Sequence, residues 1–61
     1  MSYYINDSVY EVKFEKGKIK ITEFKERFKG LFLSEQEIIY VDNYSEVKEY
    51  LKEKNGGIEV C

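Results

Sequence analysis

The residues with the most chemistry to offer are seven cations: Lys13, Lys16, Lys18, Lys20, Lys25, Arg27 and Lys29. They interleave with aromatic and β-branched residues, as in the stretch KFEKGKIKI. Cations can neutralise phosphates while neighbouring rings stack on bases, so this pattern could bind nucleic acid. Glu11, Glu15, Glu23 and Glu26 are interleaved with these cations, and residues 1–30 balance at only +2. The isoelectric point is about 5.1, whereas a nucleic-acid-binding domain shows a strongly basic face. Lysine at turns and edges also keeps a hairpin soluble and blocks unwanted strand pairing. The balance favours a solvated hairpin, with nucleic-acid contact through these seven cations as the alternative.

A second group has the opposite sign. Residues 31–61 balance at −4, and Glu46, Glu49 and Glu53 recur at intervals of three and four. That spacing places them on one side of a helix. Such a ridge could dock on a basic protein partner and steer its approach; the plainer reading is a solvated face. The charge is too sparse for a mimic of nucleic acid.

The third group is six tyrosines: Tyr3, Tyr4, Tyr10, Tyr40, Tyr44 and Tyr50. Tyrosine offers a large contact area with few rotatable bonds, which suits binding surfaces. It also packs at a core boundary with its hydroxyl wet, as expected of Tyr10 and Tyr44. Tyr3 and Tyr4 point to opposite faces if they lie in a strand, so at least one of them is exposed. Tyr40 is out of phase with Ile39 and Val41.

Catalysis is not expected. The chain has no histidine, and Cys61 is its only cysteine. That removes Ser–His and Cys–His pairs, an internal disulfide and a closed zinc site. Glu35 and Glu37 are close in sequence, but paired carboxylates need a formed pocket. Gly56-Gly57 follows a helix instead of opening one, so it is no phosphate loop. No catalytic residue, cofactor or metal is therefore assigned. Cys61 reads as a frayed, reduced terminal residue. The N-terminus shows neither the basic nor the apolar part of a signal peptide. With no transmembrane run, the expectation is a cytoplasmic protein without membrane contact.

The elements that must position these groups are legible from period and punctuation. Tyr3–Ile5 forms a first short strand, and Asn6-Asp7-Ser8 a turn. Tyr10, Val12 and Phe14 alternate with Glu11, Lys13 and Glu15, the period of a half-buried strand. A two-residue turn at Lys16-Gly17 sets Phe14 opposite Ile19 and Val12 opposite Ile21. The predicted core face is Tyr10, Val12, Phe14, Ile19 and Ile21. Residues 22–33 fit a helix capped by Thr22 or a strand bent at Gly30, and the strand is slightly favoured. Leu31–Leu33, a turn at Ser34-Glu35-Gln36 and Glu37–Val41 suggest another hairpin. Asn43 with Glu46 caps a helix over Tyr44–Lys54, closed by Asn55-Gly56-Gly57. Its buried stripe is Tyr44, Val47 and Leu51, flanked by Tyr50. Ile58–Val60 fits a terminal strand.

The expected fold is α+β: one domain over residues 1–61, an antiparallel β-meander of four or five short strands with one C-terminal helix on one face. One helix cannot cover both faces of that sheet. Residues of 43% hydrophobic and 16% aromatic character exclude a disordered chain. A chain of 61 residues nonetheless builds only a small core, and a partner or a homo-oligomer is the support left open to it. The expected function is a small non-enzymatic protein-binding module, an inhibitor or regulator of a larger protein. The contacts would be Glu46, Glu49, Glu53, Tyr3, Tyr4 and Tyr40. Phage and mobile-element proteins that block host machinery are an analogy of size and build. A self-assembling structural module, such as a homodimer, is the other alternative.

Overall fold

Period-two alternation builds four antiparallel strands in the order of the chain: β1 (Ser2–Ile5), β2 (Ser8–Glu15), β3 (Lys18–Arg27) and β4 (Phe32–Val41). One helix among the described residues, α1 (Tyr44–Lys54), follows. The computed structural model describes residues 1–27 and 32–60, and the backbone alone at 26, 27 and 32. The architecture is the α+β meander with one C-terminal helix. β1 and β4 are its edges.

The β2–β3 turn has the predicted length. Glu15 pairs with Lys18, Phe14 with Ile19 and Val12 with Ile21. Lys16 and Gly17 both have positive φ, 50° and 79°, as a type I′ turn requires. Glycine accepts that geometry freely, and lysine adopts it at some cost. The stretch left between helix and strand is strand as far as Arg27. The bend foreseen at Gly30 falls outside the described residues.

The hairpin turn foreseen at Ser34-Glu35-Gln36 is not there; these residues lie within β4. Glu23 pairs with Glu37 while Phe24 pairs with Glu35, so Gln36 is the extra residue of a β-bulge. Polar residues that resemble a turn accommodate the bulge instead. The bulge also changes which face each side chain meets. Glu37, Ile39 and Val41 share the helix side with their partners Glu23, Ile21 and Ile19, whereas Glu35 and Leu33 join Phe24 on the other side. Glu35 and Glu37 are therefore not a carboxylate pair.

α1 begins as its sequence demands. The Asn43 side chain accepts the Glu46 amide at 3.1 Å, and the Glu46 carboxylate accepts the Asn43 amide at 3.3 Å. This reciprocal capping box satisfies two otherwise unpaired donors. At the far end the Gly57 amide donates to the Lys52 carbonyl at 2.8 Å and the Gly56 amide to the Glu53 carbonyl at 3.2 Å. Gly56, at φ 69°, supplies the left-handed residue of this Schellman closure. The tail at Ile58–Val60 is not a strand, but Val60 packs against the core.

The core is Ile5, Tyr10, Val12, Ile19, Ile21, Val47 and Leu51. Phe14, predicted to belong to it, is 81% exposed. Its face was read correctly, but β1 pairs only with Ser8–Glu11, leaving Phe14 at an unflanked corner of β2. Ile19, directly opposite, lies between Phe14 and Val41 and is buried. Tyr44 is exposed in the first turn of α1, not part of the buried stripe. Its hydroxyl lies 3.0 Å from that of Tyr3, and this hydrogen bond raises the Tyr3 pKa.

Candidate functional site

The hairpin lysines do not form one free basic surface. Lys13, Lys18 and Lys20 share the side of the sheet away from α1, and each has a carboxylate nearby. Lys13 lies 3.7 Å from Glu11 and Lys20 lies 3.9 Å from Glu15. Lys18 donates to Asp42, which raises the Lys18 pKa. Lys16 occupies the turn, and Lys25 has the strand parity of the opposite side. Arg27 is described in its backbone alone, and Lys29 lies outside the described residues, as does Cys61.

On the helix side a row of polar groups crosses the sheet beside the apolar core. Tyr3 pairs with Tyr10, Tyr10 with Glu23 and Glu23 with Glu37. Two carboxylates directly opposite each other repel, and hydroxyl donors offset this. Ser8 and Tyr10 both donate to Glu23 at 3.1 Å. From α1, Tyr50 donates to Glu37 at 2.9 Å, and Lys54 approaches the same oxygen at 3.8 Å. The Tyr10 and Tyr50 rings meet edge to face at 5.9 Å. Burial and the neighbouring carboxylates push both phenols above their ordinary pKa. The cluster clamps the helix to the sheet. Its signal in the sequence was parity: Glu23 continues the run Ile19, Ile21, and Glu37 precedes Ile39 and Val41 in the same phase.

The acidic ridge is divided by the fold. Glu46 is committed to the capping box. Glu49 and Glu53 are exposed and overlook the β4 edge, across a concavity of about 300 Å³ that also touches Ile39, Val41 and Tyr50. Tyr3 is half-buried on the helix side, apart from Tyr4 and Tyr40.

The side of the sheet opposite α1 carries the largest set of exposed apolar residues in a shared register. Tyr4 pairs with Val9 and Val9 with Phe24, an unbroken apolar row across three strands. Ile38 and Tyr40 flank it on β4, and the bulge adds Leu33. Tyr4 is 76%, Tyr40 53%, Leu33 49% and Ile38 40% exposed. Tyr4 and Tyr40 were among the candidate contacts, though the sequence did not choose between Tyr3 and Tyr4 for this face. Val9, Phe24, Leu33 and Ile38 were not: Phe24 lay in the ambiguous stretch, and Leu33 reaches this side only through the bulge. Among the described residues, no helix is long and apolar enough to cross a membrane, and no group of three potential metal ligands occurs. Compared with known protein families, curated proteins and solved structures, the chain matches none.

Proposed function

We propose that this chain is a small non-enzymatic protein-binding module of the cytoplasm. It acts as an inhibitor or regulator of a larger protein and engages it with the open face of the sheet. The observation that carries this reading is the set of apolar residues gathered on this face: the row Tyr4, Val9 and Phe24, with Leu33, Ile38 and Tyr40 on β4. Single exposed apolar residues are ordinary, whereas several gathered on one face mark an interaction surface.

The chemistry of the patch selects the occupant. Its lysines are neutralised locally by Glu11, Glu15 and Asp42, so the face attracts neither a polyanion nor a strongly charged protein. The fitting partner presents an apolar, weakly charged surface. Four strands about 4.8 Å apart make a footprint on the order of 500 Å². An ordinary interface takes about 800 Å² of accessible surface from each partner, so binding would use most of this face and its rim. The molecule is only 16 Å thick, the depth of one sheet and one helix, and a partner would supply the missing layer. This also fits a chain whose own core is small.

The test is capture from cell extract, with and without nuclease treatment, using the tagged chain and an Ile38→Glu variant, alongside the mass of each in solution. The proposal expects one stoichiometric protein on the wild type and at least tenfold less on the variant. Equal recovery on both removes the open face from the function. Recovery that depends on nucleic acid favours the hairpin cations, and a mass that is a fixed multiple of 7.3 kDa favours self-assembly.

A further inference from the structure

A second surface, separate from the open face, has the features of a peptide groove. β4 is an edge strand, so one side of its backbone has no strand partner among the described residues. Free edges of this kind accept an added strand. The straight part of the edge is Glu37–Val41, because the bulge at Gln36 interrupts it. Alongside this stretch runs the concavity of about 300 Å³ between β4 and α1. Its floor is apolar, formed by the half-buried Ile39, Val41 and Tyr50. Its helix-side rim is acidic, with Glu49 and Glu53 exposed. A neighbouring concavity continues it to Glu37 and Lys54, and Lys54 is already held near Glu37.

We infer that this groove receives an extended, basic segment of another protein, which adds to β4 as a fifth strand over Glu37–Val41 and places lysine or arginine side chains against Glu49 and Glu53. Alternate residues of an added strand point toward the helix. Lysine and arginine suit those positions because their aliphatic stems cover apolar floor while the charged heads reach the rim. The acidic rim also argues against a second copy as the occupant. Two β4 edges paired across a two-fold axis would bring Glu37, Glu49 and Glu53 of both chains to one seam, with like charges facing. The inference stands apart from the open-face proposal, which draws on other residues.

The probe is a capped six-residue peptide alternating lysine and valine, titrated into the isotope-labelled full chain and followed by amide chemical shifts. Three controls accompany it: the glutamate–valine analogue, the same basic peptide methylated at alternate backbone nitrogens, and the Glu49→Lys/Glu53→Lys chain. The expected result is saturable shifts at Glu37–Val41 and Glu49–Glu53, weaker in high salt. Affinity should fall at least tenfold on backbone methylation and at least tenfold on charge reversal. Both glutamates are exposed, and an unchanged urea midpoint verifies that the variant folds. No shift at these residues up to millimolar peptide overturns the inference, as does equal binding of the acidic peptide or of the charge-reversed chain. Protection of the β4 amides without peptide, together with a doubled mass, overturns it by giving the edge to a second copy.

Discussion

The two faces of the sheet use the same strands and handle charge in opposite ways. On the helix side, Glu23 and Glu37 face each other among apolar residues, and each receives a tyrosine hydroxyl. On the open side the ion pairs lie toward the β2–β3 turn, and the apolar residues from Tyr4 to Tyr40 stay in contact with water. The first arrangement holds the helix on the sheet. The second contributes little to folding the isolated chain and leaves a surface that another protein can cover. Stability and binding are thus assigned to opposite faces, and substitutions should separate them.

The largest effect should come from the covered face. Leu51→Ala removes a buried side chain and should cost about 2–5 kcal/mol, against a total of about 3–5 kcal/mol for a core of this size. Circular dichroism and urea titration should find it largely unfolded at 25 °C, whereas Ile38→Ala on the open face should shift stability by less than about 1 kcal/mol. Next is the polar clamp. Glu23→Ala leaves the Ser8 and Tyr10 hydroxyls without their acceptor, for a loss of about 1–3 kcal/mol. Glu23→Gln keeps an acceptor and should lose less, and the difference in urea midpoint between the two variants isolates the hydrogen bonds.

The clamp also predicts a pH dependence. Tyr10 and Tyr50 have folded pKa values raised above the ordinary 10.0. A raised folded pKa favours the protonated phenol in the native state. The resulting stability is complete below about pH 10 and is lost as pH rises through the folded values. Urea midpoints should decline above pH 10, and the decline should be shallower in Tyr50→Phe. An equal decline would remove Tyr50 from the clamp. The smallest effect belongs to the turn: Lys16→Asn places an Asn-Gly pair in the type I′ geometry and should stabilise by up to about 1 kcal/mol, read from the same titrations.

The comparison also explains what could be read in advance. Alternation gave the β2–β3 register because a one-residue slip would turn every apolar residue to the wrong side. The Asn43 and Glu46 pair gave the helix start, since its chemistry is local. Burial was less legible. Phe14 has the right parity, but whether a neighbouring strand flanks it depends on where β1 ends. The open face was legible only in Tyr4 and Tyr40. The bulge at Gln36 reverses the parity of β4, so Leu33 and Ile38 share a face despite an odd spacing. No local pattern marks that reversal, because Ser34-Glu35-Gln36 is equally suitable for a turn.

The most direct test of the division between faces is a Tyr4→Thr/Tyr40→Thr chain, with urea midpoint and capture of the partner from nuclease-treated extract measured on one preparation. Threonine keeps strand propensity while removing the exposed rings. The expected result is a midpoint within about 1 kcal/mol of the wild type and loss of the captured protein. A folded variant that retains its partner undiminished would contradict the assignment of binding to the open face.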